Sequence, residues 1–164
     1  MKQVVSNTTP ISNLLRIQQL PLLRLLFQRV LIPGQVAAEL TRGQSLLGEW
    51  QRAPGAEVLT VIELKMTPFL HQLEARLDAG EAAAIALAND HSADLLLMDE
   101  VEGRQVAAYH GLHVAGTLGI LLEAKRLGHL PAVTPLIQQL EQVNFRISPA
   151  LKRHIIHLAG EVAP

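Results

Sequence analysis

The stretch Leu95-Leu96-Leu97-Met98-Asp99-Glu100-Val101-Glu102 decides how the rest of the chain is read. Its four apolar residues run without alternation, the pattern of a short strand covered on both faces. Negative charge then arrives abruptly at Asp99, Glu100 and Glu102. In an open α/β sheet such a junction is the carboxyl end of a strand, and ligands bind in the crevice outside those ends. Asp99 is therefore the anchor of a candidate site.

Similar junctions recur in both directions. Upstream, Gln3 to Ser6 reads as a strand, and Asn7-Thr8-Thr9-Pro10 as a helix start with a Thr at the N-cap and Pro10 at the first helical position. Ile11, Leu14, Leu15 and Ile17 carry helical spacing, and a second short helix is expected over Leu22 to Phe27 after Pro21. Val30 to Ile32 looks like another strand. Pro33-Gly34 then opens a helix whose apolar stripe is Val36, Ala37 and Leu40, with Glu39 on its border. Thr41 to Pro54 lacks a pattern and is read as a connection with a turn of helix, and Glu57 to Ile62 as an edge strand. Pro68 to Leu77 has helical spacing, and a new helix begins at Asp78 and runs to about Asn89.

Downstream of Glu102, Val101 to Tyr109 fits a helix and Val114 a brief strand. Gly116-Thr117 leads into a helix that Gly128 stops. The tail adds helices over Thr134 to Val143 and Pro149 to Ala159. Strands alternating with helices imply right-handed crossovers and an α/β fold, a mainly parallel central sheet with helices on both faces. Asn7, Asp99 and Gly116-Thr117 are then expected to open on one edge of the sheet.

Composition narrows the chemistry. A chain of 164 residues suits one domain, here a core over about 3–130 with a helical extension over 131–164. Apolar residues make up 49% but aromatic ones only 3%, so the core must be built from Leu, Ala, Val and Ile. With no cysteine there is no thiolate nucleophile, disulfide or zinc-cysteine cluster. No apolar run approaches the roughly 18 residues of a membrane span, and the start lacks a signal-peptide pattern, so a cytoplasmic protein with no membrane partner is expected. Fourteen Lys and Arg against 15 Asp and Glu give no global field toward nucleic acid, so any phosphate-binding surface must be local.

The acids that can meet at the strand ends are Asp99 with Glu100 or Glu102, Glu39, and Glu81 or Asp78. Carboxylates crowded on one rim repel each other and call for a divalent cation, and oxygen-only ligands favour Mg2+ or Mn2+. Each acid also has a plainer reading. Asp78-x-x-Glu81 matches a capping box, Glu39 can be a solvated helix edge, and Asp99 can cap the helix that follows it. Glu100 and Glu102 read as surface groups, although Glu102 lies one helical turn from Asp99 and can reach the same ion. His154 and His157 have ligand spacing but no third zinc-type partner nearby, and the bland reading is favoured. No glycine-rich nucleotide motif, serine elbow or Cys-His pair is present.

Five segments resemble the PIN-domain proteins, in particular a PIN-like branch of bacteria and archaea. They are VVSNTTPIS, IPGQVAAEL, LDAGEAAAIALA, LLLMDEVEGRQVA and GLHVAGTLGILLEAKRLG, spread over most of Val4 to Leu130. The resemblance implies a three-layer α/β/α fold and a Mg2+- or Mn2+-dependent ribonuclease, a class that includes toxins of toxin-antitoxin pairs. It implies that the family's four acidic positions fall on Asn7, Glu39, Glu81 and Asp99, with Thr117 as a hydroxyl near the metal and Thr8 and Arg104 on the substrate side. Arg104 either holds a phosphate or pairs with Glu100 or Asp99. Asn7 departs from the pattern: an amide offers one carbonyl oxygen to an ion but carries no charge and cannot act as a base. Implied partners are RNA, an antitoxin protein and a second copy in a homodimer, the last also suggested by the Leu-rich stretches Leu20 to Phe27 and the tail from Leu136.

Two other readings remain open on the sequence. One is a PIN-like nucleic-acid- or protein-binding module with little or no catalysis, motivated by Asn7. The other is a receiver-like phospho-acceptor domain, against which the Asn7-Thr8 end of the first strand argues.

Overall fold

The structure is a computed structural model and describes residues 1–43 and 48–163. Five strands, β1 (Val4–Ser6), β2 (Val30–Pro33), β3 (Leu59–Ile62), β4 (Leu95–Leu97) and β5 (Val114–Ala115), form one wholly parallel sheet in the order β3-β2-β1-β4-β5. Val4, Val5 and Ser6 of β1 lie opposite Leu95, Leu96 and Leu97 of β4. This order differs from the 2-1-3-4-5 order of flavodoxin-like sheets, so the receiver-like reading fails on topology.

The helices among the described residues are α1 (Thr8–Arg16), α2 (Pro21–Phe27), α3 (Gly34–Arg42), α4 (Pro68–Glu74), α5 (Ala79–Asp90), α6 (Val101–Tyr109), α7 (Thr117–Arg126), α8 (Thr134–Gln142) and α9 (Pro149–Leu158). They cover both faces of the sheet, giving the three-layer α/β/α arrangement. Because successive strand side chains point to opposite faces, each central strand serves two cores. Val4, Val30, Ile32 and Leu97 pack with α1, α2, α3, α7 and α8, through residues such as Leu14, Leu23, Leu40, Leu121 and Leu140. Val5, Leu31, Leu96 and Met98 pack with α4, α5 and α6, through Leu70, Ile85 and Val106. Burying each of Leu96 and Leu97, fully enclosed here, contributes about 1.5–3 kcal/mol. The alanine-rich α5 is buried on all sides from Gly80 to Ala88, which explains why its sequence shows no polar face.

Several boundaries differ from the sequence reading for identifiable reasons. Thr8 and Thr9 are the first helical residues of α1 and neither is its cap; Asn7 stands at the N-cap without a side-chain capping bond. Their hydroxyls are drawn instead to carboxylates of other elements. The connection over 41–54 does contain a turn of helix, at Trp50–Arg52, and the buried Trp50 donates from Nε1 to Thr41 Oγ1 at 3.2 Å. Residues 44–47 of that connection lie outside the described residues. The apolar surplus expected at Leu20–Phe27 is mostly consumed inside the chain: Leu20, Leu22 and Leu23 are buried and Leu25 is exposed. Leu136, Ile137 and Leu140 of α8 are buried likewise.

The C-terminal helices pack on α7 through Ile137, Ile155 and Ile156 against Leu118 and Leu122, and Glu161 adds a polar tie. Glu161 accepts from the N–H groups of Val133 (2.8 Å) and Thr134 (3.0 Å) at the start of α8, and from Lys125 Nζ of α7 at 2.7 Å. No helix is long and apolar enough to cross a membrane, among the described residues.

Candidate functional site

In a parallel sheet all strands end on the same edge, and here the order reverses between β1 and β4. That reversal leaves a crevice outside their carboxyl ends. Asn7 closes β1 by donating its backbone N–H to Leu97 O at 2.9 Å, which sets it beside the end of β4. Asp99 and Glu100 follow β4 after the single residue Met98. The sheet therefore delivers an amide and two acids to one crevice.

Asp99 is held by the opening turn of α7. Thr117 N–H donates to its Oδ1 at 2.8 Å and Thr117 Oγ1 to its Oδ2 at 2.6 Å, while Asn13 Nδ2 of α1 lies 3.4 Å from the same Oδ2 and 3.1 Å from Thr117 Oγ1. Gly116 permits this closeness, because a side-chain carbon there would fall 2.5 Å from Asp99 Oδ1 and 2.8 Å from an Arg104 nitrogen. Burial raises the Asp99 pKa; the two Thr117 bonds oppose the rise, Glu100 adds to it by repulsion and Arg104 opposes it. Arg104 thus stands beside Asp99, with Nη1 also 3.3 Å from Met98 O.

Glu100 turns the other way, toward β1 and α1. Its Oε2 accepts from Asn7 Nδ2 at 3.1 Å and its Oε1 from the Thr9 hydroxyl. The preceding residue, Thr8, donates its hydroxyl to Glu39 of α3. Glu39 lies over the start of α5, so close to Gly80 that a side-chain carbon at that position would overlap its carboxylate. Adjacent threonines at the head of α1 therefore string Glu39 and Glu100 along one rim.

Glu81 sits on the same side. Asp78 and Glu81 form the reciprocal capping box, with Glu81 N–H donating to Asp78 Oδ1 at 2.9 Å and Asp78 N–H to Glu81 Oε2 at 3.2 Å. Burial raises the Glu81 pKa, against the Asp78 backbone bond, and the nearby charges of Asp78, Glu100 and Glu102 raise it further. Glu102 is engaged elsewhere, in an exposed ion pair with Arg76 at 2.9 Å. That ion pair engages the group expected to reach an ion beside Asp99, while the Glu102 charge still bears on Glu81. His154 and His157 are exposed on α9.

A family model described as a PIN domain matches residues 3–161. The chain belongs to the PIN-domain family. Neither a curated protein nor a solved structure matches it.

The oxygen-rich crevice of this PIN domain suits a hard divalent cation in its donor chemistry. Asn7 Oδ1 is buried without a hydrogen-bond partner, an acceptor that a cation would satisfy. Glu81 and Asp99, both pushed up by burial and by neighbouring acids, would be relieved by the same charge. The carboxylates are nevertheless spread along the rim: among the described residues no three His, Asp or Glu side chains gather into a ready-made metal group. Glu39, Glu81 and Asp99 are thus brought to one side of the sheet, each already engaged by a protein donor.

Sequence reasoning set aside one member of this network and missed two. Glu100 looks like a surface group because it follows Asp99 in a charged run, yet adjacent residues at a strand end point opposite ways. Thr9 is hidden by its resemblance to a cap. Asn13 does leave a signal, a polar residue set between Ile11 and Leu14 on the buried face of α1.

Proposed function

We propose that this PIN domain is a metal-dependent ribonuclease that hydrolyses RNA phosphodiesters. The observation that carries the reading is the buried, unpartnered Asn7 Oδ1 at the point where the strand order reverses, with Glu100 bound to the other end of the same amide. Asn7, Glu39, Glu81 and Asp99, joined by Glu100, would hold Mg2+ or Mn2+. When bound, the ion would supply an acidified water as nucleophile and charge to stabilise the leaving oxygen. Thr8 and Thr9 hold Glu39 and Glu100 in place, and Thr117 fixes Asp99. Arg104, beside Asp99, is suited to a substrate phosphate. Purified protein incubated with single-stranded and structured RNA plus Mn2+ tests the reading. Cleavage that is lost in Asp99→Asn and Glu100→Gln supports it; cleavage untouched by Asp99→Asn, or absent with every metal tried, sinks it.

A binding module without turnover is the second reading, favoured by the missing charge at Asn7. Mn2+ binding measured by calorimetry separates the two: no binding to the wild type, with binding created by Asn7→Asp, supports the module. A cytoplasmic toxin paired with an antitoxin, and a homodimer, are further proposals that rest on the family. A small adjacent reading frame whose product binds this chain, and the mass of the purified protein in solution, test them.

A further inference from the structure

The crevice opens sideways into a cleft of about 1460 Å³ that reaches from Thr9, Asn13 and Asp99 to the connection between α8 and α9. Its charged lining is lopsided for a chain of formal charge −1. Arg16 from the end of α1, Arg104 from α6 and Arg146 from the α8–α9 connection face it, against the single acid Asp99. Arg24, Arg52, Arg76 and Arg126 are taken up in ion pairs, whereas none of the three cleft arginines has one among the described residues. All three are exposed. Between them the wall is apolar: Leu118 and Leu122 stand one turn apart on α7, with Phe145 and Leu151 also lining the cleft.

Guanidiniums delivered by three separate elements suit several phosphates in succession better than one compact anion. An aromatic ring and leucines between the charges suit the faces of unstacked bases, which a duplex keeps hidden. We propose that this cleft is the track for a single-stranded RNA, with Arg16 and Arg146 gripping backbone phosphates away from the scissile one and Phe145 receiving a base. The proposal deepens the ribonuclease reading and rests on it for the choice of RNA.

Binding is measured without hydrolysis, by fluorescence anisotropy of a labelled 12-nucleotide single-stranded RNA in EDTA. The Arg16→Gln/Arg146→Gln double variant is expected to bind at least tenfold more weakly. The slope of log affinity against log salt should fall by about 1.4, roughly 0.7 for each phosphate that is no longer neutralised. Phe145→Leu should weaken binding several-fold at an unchanged salt slope, and Arg24→Gln, outside the cleft, should leave both unchanged. Affinity of the double variant within twofold of wild type overturns the proposal, as does tighter binding to duplex RNA or to single-stranded DNA of the same sequence. If no metal supports cleavage while these binding differences hold, hydrolysis is refuted and the track stands.

Discussion

Thr117 grips Asp99 with both of its donors, the backbone N–H on Oδ1 at 2.8 Å and the hydroxyl on Oδ2 at 2.6 Å. The carboxylate at the end of β4 is thereby locked to the start of α7, and the two elements that bound the crevice cannot shift independently. Asp99 has a positioning duty whether or not it also meets an ion.

Thr117→Val removes the hydroxyl bond and keeps the shape and the N–H bond. A hydrogen bond to a charged group is worth about 1.5–3 kcal/mol, so stability at neutral pH should fall by roughly that amount. The bond also holds the Asp99 pKa down against burial, so the pKa should rise further in the variant. Urea unfolding and carboxyl carbon NMR titration check the two parts. An unmoved Asp99 titration means that the hydroxyl does not face the charge.

Gly80→Ala places a methyl group where the Glu39 carboxylate now lies. Gly80, the second residue of α5, does not have a positive φ, so the backbone accepts Ala and the fold should survive. Glu39 has to swing away from Thr8. Mn2+ affinity by calorimetry should drop at least tenfold with the melting temperature nearly unchanged; equal affinity removes Glu39 from the proposed ligands.

Asn7→Asp trades the amide that donates to Glu100 for a carboxylate that repels it. Without metal the buried extra charge should lower the melting temperature, and added Mn2+ should restore it by mass action. The diagnostic quantity is the difference in melting temperature with and without Mn2+, which should be larger in the variant than in the wild type. The same difference in both proteins argues against an ion at this position.

Glu161 sets an acid limit on stability. Its bonds from Lys125, Val133 and Thr134 overcome desolvation and hold its pKa at about 2, well below the ordinary 4.5. Its side chain is 14% exposed, and a depression of about 2.5 units corresponds to roughly 3 kcal/mol. Because the folded-state pKa is the lower one, this stabilisation is complete above about 4.5 and drains away as pH falls toward about 2. Glu161→Gln should therefore be less stable than wild type by a few kcal/mol at pH 7, with a gap that narrows below pH 4.5. Urea unfolding at pH 7, 4 and 3 measures it, and a gap independent of pH would mean that the carboxylate charge is not what holds α8 to α7.

The order of strands and helices was legible because the signals are local. The unbroken Leu95–Met98 run, Pro33-Gly34 and the glycine at 128 each mark an element boundary by their own chemistry. Asp78-x-x-Glu81 was readable for the same reason, since its two bonds span three residues. The wiring of the crevice was not, because Thr9 and Glu100 are separated by 91 positions and Asn13 and Thr117 by 104. Which of Asp99 and Glu100 turns toward β1 depends on the rotation of the chain as it leaves β4, and nothing in a run of charged residues encodes that. The arginines of the cleft were equally invisible: only folding brings residues 16, 104 and 146 to one wall.

Leu97 belongs to one core, and Leu96 and Met98 to the other. A middle layer shared in this way is a common hinge pin, and pulling it from one side empties the other. Melting should therefore be a single cooperative event with no half-folded stage, and the acids beyond the pin should keep their places until the whole molecule gives way.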